Sequence, residues 1–328
     1  MIAQVGSSRL IVMRHKLTRI AVICAMTYFL GSLAAGIFLA ELTLHVPRRP
    51  VRHESKIHRE YEVRFGADLE DVSIPASDGA ILRGWYAQPS SFNGNSVLLL
   101  HGVGDNREGM SGYAELFLAK GYAVLLPDSR AHGESGGSIA TYGLRESDDI
   151  HRWVEWTRVR SRSTCIYGLG ESMGAALVLQ AAHAENDFCA VVAESPFSTF
   201  RQVAFDRVGY YIGLGPWFGR TVARPLVEIA FIYARARYHV NLQDANPENS
   251  LRNSNTPVLL IHGQADKNIL PWHSEELASH DPHATLWIVP HAWHTGAWET
   301  EPAEFERRVL TFLAANSRLL KHLAASMH

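Results

Sequence analysis

The feature that most constrains the fold is an apolar run, residues 164–169, that leads through Gly-Glu-Ser-Met-Gly (residues 170–174) into a series of small residues. The run is typical of a buried strand, and the segment after it is typical of a helix. A Gly-x-Ser-x-Gly sequence between the two indicates a sharp turn that exposes the serine hydroxyl, because the glycines leave room for close packing. Free amides at the start of the helix would lie beside this hydroxyl. The pattern predicts Ser172 as a nucleophile.

The same glycines also fit a dinucleotide-binding turn. Gly168, Gly170 and Gly174 resemble the glycine pattern of such a turn, and Glu194 follows the next predicted strand, where a carboxylate could hold a ribose. This alternative predicts a nucleotide-dependent oxidoreductase. However, Met173 stands where the tighter pattern has its third glycine, and the motif usually opens a domain. The sequence therefore favours the turn with a nucleophilic serine over the nucleotide-binding turn.

Two later strand ends supply a carboxylate and a base. One apolar run is followed by Asp266, and another is followed by a loop with His291 and His294. Because the carboxyl ends of parallel strands lie at one edge of a sheet, we expect these side chains to meet Ser172 there. The order serine, aspartate, histidine predicts that His294 takes the serine proton and that Asp266 orients the imidazole.

These motifs resemble the α/β-hydrolase superfamily of serine hydrolases over about residues 68–315. Residues 97–107 resemble its strand and His-Gly oxyanion loop, and residues 122–135 resemble its next strand and Asp-x-Arg-x-His-Gly-x-Ser loop. The most similar subgroup is that of bacterial membrane-associated esterases and acylaminoacyl-peptidase-like hydrolases. The resemblance implies an α/β-hydrolase fold and an acyl-enzyme mechanism that needs no cofactor and no metal.

The resemblance also assigns the remaining roles in the site. The family's base falls at the position of His294, with His291 as the competitor, and the backbone amides of Val103 and Met173 would hold the oxyanion. Ala131 and His291 stand where many relatives have glycine. The implied substrate is a carboxylic ester, with a peptide or a thioester as the alternative on the same side chains. A non-catalytic binding protein on this fold is a further alternative.

The rest of the chain predicts a doubly wound, mostly parallel α/β sheet. Residues 69–75 and 80–89 predict an antiparallel opening pair, after which apolar runs alternate with helical patterns. These helical patterns lie at residues 109–120, 146–160, 173–185, 273–280 and 302–313. This alternation of apolar runs and helical patterns is interrupted at about residues 196–255, where we find one helical pattern, at 225–237. We predict a small helical lid there, with a packed connection that does no gating as the alternative.

Residues 20–40 form an uncharged, apolar segment long enough to cross a bilayer. We predict a cytoplasmic tail and membrane anchor at residues 1–44, a stalk at 45–67 and the hydrolase domain at 68–328, outside the cytoplasm. Basic residues flank the segment on both sides, so the charge signal for this topology is weak. A cleaved signal peptide is the alternative. We expect the anchor to add nothing to the core, so that a chain beginning near Val51 would be fully active.

Composition narrows the class of partner. The 328 residues carry a formal net charge of −2, which argues against nucleic acid and leaves a small acyl substrate and the membrane as partners.

Cys24 lies in the apolar N-terminal segment, and we expect Cys165 and Cys189 to be small buried hydrophobic residues rather than a disulfide. Asp148 and Asp149 are expected to face solvent near a helix start. The oligomeric state stays open.

Overall fold

The computed structural model describes residues 2–52, 55–182 and 187–317. Within these ranges eight strands form one sheet. They are β1 (Leu69–Pro75), β2 (Ile81–Ala87), β3 (Asn95–Leu100), β4 (Ala123–Pro127), β5 (Cys165–Glu171), β6 (Ala190–Glu194), β7 (Val258–Gly263) and β8 (Ala284–Val289). Their spatial order is β1-β2-β4-β3-β5-β6-β7-β8.

The strand directions confirm the predicted doubly wound, mostly parallel sheet. β2 runs antiparallel to β1 and β4, and every pair from β4 through β3 to β8 is parallel. All residues of β4, β6 and β7 are buried, since helices cover both faces of the sheet. The carboxyl ends of β3 and β5 to β8 therefore share one edge.

Helices precede, connect and follow the strands. They are α1 (Ile2–Leu44), α2 (Ser55–Phe65), α3 (Ser111–Ala119), α4 (Glu146–Ser161), α5 (Met173–Ala181), α6 (Phe200–Tyr211), α7 (Gly215–Arg220), α8 (Arg224–Tyr238), α9 (Pro247–Arg252), α10 (Trp272–His280), α11 (Ala297–Thr300) and α12 (Pro302–Ala315), with 3-10 turns at Arg107–Met110 and Leu242–Asp244. One apolar core lies between the sheet and α4, α5 and α8. A second core packs α2, α3 and α12 on the opposite face.

A helical insertion, residues 196–255, connects β6 to β7. The predicted helix at 225–237 is α8, whereas α6 and α7 had no clear pattern of their own. Glycines explain this difference, because they lower helix propensity but allow close packing. A Cβ on Gly209 would lie 1.9 Å from the carbonyl oxygen of Gly215, and one on Gly219 would lie 1.8 Å from that of Phe205. The helices α6 and α7 therefore pack backbone against backbone.

The expected stalk at residues 45–67 is a packed part of the body instead. Its Tyr61, on α2, is 1% exposed and donates a hydrogen bond to the carbonyl of Ser111. Arg48 donates hydrogen bonds to the carbonyls of Ser135 at 2.5 Å and Gly137 at 2.7 Å. The expectation was wrong because it used only the polar composition of the segment, and long basic side chains pack well along a surface.

Two expectations about buried side chains are also corrected. Cys165 and Cys189 are buried but form a disulfide, since β5 and β6 are neighbours and the two Cα atoms lie 5.6 Å apart. Asp149 is 4% exposed, and its carboxylate accepts two hydrogen bonds of 2.7 Å from the Arg130 guanidinium. In both cases the partner is distant in sequence or lies on another element, so local pattern did not reveal it.

The helix α1 includes the predicted apolar segment. Met13–Leu44 has the length and hydropathy of a membrane span. Its last turns are not free of the protein, because Ala40 is 2% exposed and Leu44 is fully buried in the core beside α8. The expectation that this helix adds nothing to the core was therefore wrong.

Candidate active site

Ser172 lies at the apex of the turn between β5 and α5. Its backbone has φ +53° and ψ −115°, and its amide donates to the carbonyl of Glu194 at 2.8 Å. A Cβ on Gly170 would lie 2.3 Å from the carbonyl of Gly174, and one on Gly174 would lie 2.1 Å from that of Leu100. The glycines are needed because the turn brings β5, α5 and β3 into backbone contact.

The structure brings together the three side chains that the sequence singled out. His294 Nε2 lies 2.8 Å from Ser172 Oγ, and His294 Nδ1 lies 2.7 Å from Asp266 Oδ2. This chain of contacts is satisfied when Nδ1 carries the proton and donates to the carboxylate, while Nε2 accepts the serine proton. Such an imidazole can remove the proton from the serine hydroxyl.

The Asp266 carboxylate is held on both oxygens. Oδ1 accepts from the amides of Asn268 and Ile269 at 2.8 and 3.0 Å, in the turn that follows β7. Burial raises the pKa of Asp266, but hydrogen bonds from His262 and His294 lower it by more than burial raises it. The pKa of this carboxyl therefore lies well below the usual range. The group therefore stays ionised and can stabilise an imidazolium.

His262 is a functional candidate that the sequence analysis did not identify. It is fully buried on β7; its Nε2 lies 2.9 Å from the carbonyl of Ile269 and 3.3 Å from Asp266 Oδ2. Ser274 Oγ lies 2.6 Å from its Nδ1. The ring thus fixes the turn that carries the aspartate. Its position four residues before Asp266 was visible in the sequence. A histidine inside an apolar strand, however, does not by itself indicate which groups its ring contacts.

The His294 loop is positioned by contacts with β6 and β7. A Cβ on Gly263 would lie 2.4 Å from the carbonyl of Trp293, and the amide of Ala297 donates to Glu194 Oε1 at 2.9 Å. The other oxygen of Glu194 accepts from Tyr113 Oη at 2.8 Å. His291 is exposed, in a turn with φ +64°. The structure therefore places His294, rather than His291, beside the serine.

The proposed oxyanion donors border the same point. Met173 is the first residue of α5, where a backbone amide has no partner within its own helix. Val103 lies in the loop after β3, and a Cβ on the preceding Gly102 would lie 3.5 Å from Ser172 Cβ. Val103, Met173 and Ser172 all line one cavity of about 360 Å³. A carbonyl placed over Ser172 would lie close to both residues.

The cavity walls are almost entirely apolar. Most lining side chains come from α1 and its following loop or from the helical insertion, and Arg207 is the one charged side chain among the described lining residues. Its size lies within the range of small-molecule sites, ~300–1,000 Å³. The site can therefore hold an apolar group beside the serine.

The structure does not bring the residues of the rival dinucleotide hypothesis to a nucleotide site. The Glu194 carboxylate is 1% exposed and is bonded to Tyr113 and Ala297, so it does not face a space for a ribose. Burial raises the pKa of Glu194 despite these hydrogen bonds. Across residues 2–52, 55–182 and 187–317, no group of three or more His, Cys, Asp or Glu side chains is placed to hold a metal ion.

Comparison with known proteins decides the family. The sequence model of the α/β hydrolase family matches residues 97–308, well over half of the chain. The chain belongs to the α/β hydrolase family. As a member of this family with esterase and lipase relatives, it is a hydrolase.

This hydrolase is similar in sequence to several known proteins and in structure to a solved esterase. YqkD of Bacillus subtilis strain 168 is 27% identical over 291 residues, which cover 86% of this chain and 92% of YqkD. The lysophosphatidylserine lipase ABHD12 of Rattus norvegicus is 27% identical over 200 residues, 58% of this chain and only 46% of ABHD12. The structure of the Pyrococcus furiosus esterase Pf2001 matches with a TM-score of 0.66 and 26% identity, over 83% of this chain and 98% of that one.

Proposed function

We propose that this hydrolase cleaves carboxylic esters through an acyl-enzyme formed on Ser172. The observation that carries the proposal is the pair of contacts of 2.8 and 2.7 Å that joins Ser172 to His294 and His294 to Asp266 at an apolar cavity. Similarity to an esterase and to a lipase supports an ester rather than an amide. Peptide and thioester cleavage remain alternative outcomes of the test.

In the proposed first half-reaction, His294 Nε2 takes the serine proton as Oγ attacks the ester carbonyl. The carbonyl oxygen becomes an oxyanion, which accepts hydrogen bonds from the amides of Val103 and Met173, each worth about 3 kcal/mol. When the tetrahedral intermediate collapses, the ester C–O bond breaks. The Nε2 proton goes to the leaving alcohol, and the acyl group stays on Ser172.

In the second half-reaction, water replaces the alcohol. His294 takes a proton from the water as its oxygen attacks the acyl-enzyme, and the same two amides hold the oxyanion. The serine then leaves with the proton from Nε2, which releases the carboxylic acid. Asp266 keeps its negative charge throughout and stabilises the imidazolium that forms twice in each cycle.

The test is Ser172→Ala in the full chain. We expect the variant to keep its thermal midpoint but to lose labelling by a fluorophosphonate probe and lose turnover of acyl esters by several orders of magnitude. Peptide amides and thioesters, assayed alongside, decide the bond class. Labelling of a folded Ser172→Ala protein at the wild-type rate would contradict the assignment of the nucleophile.

We also propose that α1 anchors the protein in a membrane, with the hydrolase domain outside the cytoplasm. The length and hydropathy of Met13–Leu44 support the anchor. The disulfide between Cys165 and Cys189 supports the topology, because such bonds persist in oxidising compartments. Arg14, Lys16 and Arg19, which precede the apolar run, are consistent with a cytoplasmic N-terminus.

A further inference from the structure

The helix α1 has two parts with different surroundings. Every residue from 13 to 31 is exposed, whereas Ser32, Gly36, Ala40 and Leu44 are buried at a spacing of four. Residues four apart lie on one face of a helix, so the last three turns present a continuous face to the protein. The helix is ~65 Å long, and a bilayer core is ~30 Å thick. The uncharged run at residues 20–40 is itself ~30 Å long, so its last turns can lie in the bilayer and pack against the protein at the same time.

The last part of α1 is fixed to the helical insertion. A Cβ on Gly36 would lie 2.7 Å from the carbonyl oxygen of Leu226 on α8. Glu41 accepts hydrogen bonds from the hydroxyls of Tyr233 at 2.6 Å and Tyr238 at 2.7 Å. Close backbone packing and these polar contacts hold α1 in one position relative to α8.

This part of α1 forms one wall of the cavity beside Ser172. The residues that α1 and the loop after it contribute are Leu39, Ala40, Leu42, Thr43, Val46 and Pro47. On the insertion, Phe200, Val227 and Phe231 line the same cavity. An apolar chain attached to the carbonyl at Ser172 would thus lie between the membrane helix and the insertion.

The outer edge of the insertion lies beside the apolar segment of α1. The hydroxyl of Tyr28 donates to the carbonyl of Val222, which lies between α7 and α8. Three large apolar residues of the insertion, Tyr211, Leu214 and Trp217, are 60–70% exposed. Tyr28 is ~18 Å from Ala40 along the helix axis and lies inside the uncharged run of residues 20–40. The insertion therefore reaches the level of the bilayer when α1 spans it.

We propose that the substrate is a long-chain acyl ester resident in the bilayer, and that the last turns of α1 form the wall that binds its acyl chain. The proposal rests on the ester hydrolysis proposed at Ser172. A long chain would fill the apolar cavity, and transfer from lipid into this cavity keeps the chain out of water throughout. The membrane helix thus selects the substrate as well as anchoring the enzyme.

The test uses the full chain in phosphatidylcholine nanodiscs, with p-nitrophenyl esters from acetyl to palmitoyl. Ala40→Phe fills the cavity wall, and Leu42→Trp does so at a position that is 53% exposed and tolerates a larger side chain. Ala34→Phe is the matched control, because Ala34 is on an exposed face of the same helix. Fluorophosphonate labelling of Ser172 reports that each variant is folded and competent.

We expect both wall variants to lower the ratio of long-chain to short-chain kcat/KM by about tenfold or more, while Ala34→Phe leaves it unchanged. A second measurement needs no turnover: binding of a fluorescent long-chain fatty acid to proteins that also carry Ser172→Ala. We expect Ala40→Phe to weaken this binding by about tenfold as well.

The outcomes separate the two proposals. Unchanged chain-length profiles and unchanged fatty-acid binding in both wall variants overturn the assignment of α1 as the acyl-chain wall. Weaker fatty-acid binding in the wall variants, with no ester hydrolysis or serine labelling even in the wild-type protein, supports the wall but contradicts the proposed hydrolysis. A wild-type protein that cleaves short esters and neither binds nor cleaves long chains overturns the substrate class alone.

Discussion

Ser172 has a backbone conformation, at φ +53°, that few residues other than glycine adopt. Ala131 at φ +60° and His291 at φ +64° also have such a conformation, which agrees with the expectation, drawn from the family resemblance, that glycine is common at these positions. Strain of this kind persists only where the surroundings impose it. At Ser172 the amide contact with Glu194 and the glycines on either side impose it, which fixes the hydroxyl towards His294.

Two histidines three residues apart give a direct test of the base. Because only His294 contacts both Ser172 and Asp266, we expect His294→Ala to lower esterase kcat/KM on the order of a thousandfold or more. His291→Ala, at an exposed turn, is the matched control and should have little effect. Steady-state kinetics with a short acyl ester measures both. A large loss with His291→Ala and a small one with His294→Ala would contradict the geometry of the loop.

Glu171, next to the nucleophile, predicts a pH dependence of stability. Burial and the nearby charge of Glu194 raise the pKa of Glu171 from 4.5 to about 8. The folded protein therefore keeps a proton that the unfolded chain releases, so the free energy of unfolding falls as pH rises from 4.5 to about 8. We expect Glu171→Gln to remove more than ~1 kcal/mol of this fall, because the amide is neutral at every pH.

The measurement is urea unfolding at pH 5 and pH 9 for the wild-type protein and the variant. Glu155→Gln, at an exposed position of α4, is the control and should leave the difference between the two pH values as in the wild type. An equal pH dependence in Glu171→Gln and the wild-type protein would show that Glu171 is ionised in the folded state.

At the scale of elements, every side chain of the proposed site follows a strand of the parallel sheet. Ser172 follows β5, Asp266 follows β7, and His294 follows β8, while Val103 follows β3. The sheet brings these strand ends to one edge and leaves the connections free to vary in length. Position directly after a predicted strand could therefore indicate these residues from the sequence, although 122 residues separate the serine from its base.

The disulfide joins the starts of β5 and β6 and gives a prediction about compartment. If the domain lies outside the cytoplasm, Cys165 and Cys189 should be oxidised in living cells, whereas Cys24 is free and exposed. Cells quenched with acid and then labelled with N-ethylmaleimide in denaturant, so that buried thiols also react, should therefore show one modification on the intact chain by mass spectrometry. Cys24→Ser is the control and should show none. Three modifications on the wild-type chain would place the domain in a reducing compartment.

A cysteine variant tests the energetic role of the same bond. The bond closes a loop between residues 24 apart in sequence, for which chain entropy predicts a stabilisation on the order of 3 kcal/mol. The double variant Cys165→Ala, Cys189→Ala should therefore unfold at a lower temperature than the oxidised protein. Reductant should lower the wild-type midpoint and leave that of the double variant unchanged.

At the scale of the whole molecule, the last turns of the N-terminal helix are part of the hydrolase body. A chain beginning at Val51 would lose the buried Ala40 and Leu44, the Arg48 contacts and one wall of the cavity. We now expect this chain to melt several degrees lower and to lose its preference for long acyl chains. Thermal unfolding and the chain-length profile, compared with the full chain, check this. Equal midpoints and equal profiles would show that α1 serves only as an anchor.

The sequence by itself determined that the sheet is doubly wound and mostly parallel, and it predicted the residues of the proposed site, because these depend on local signals. Apolar runs predicted the strands, the glycines predicted the turn at Ser172, and position after a strand predicted Asp266 and His294. These signals act over a few residues, and the topology of a doubly wound sheet then brings them together.

Only the tertiary structure decided which side chains and which elements contact one another. The pairing of Cys165 with Cys189, the burial of Asp149 and the support of Asp266 by His262 each depend on elements that pack side by side. The helix α1 is the largest case. Its apolar composition indicated a membrane, but the same apolar face also fits a protein core, and hydropathy does not distinguish the two. Contact with α8 makes its last turns a wall of the cavity beside Ser172.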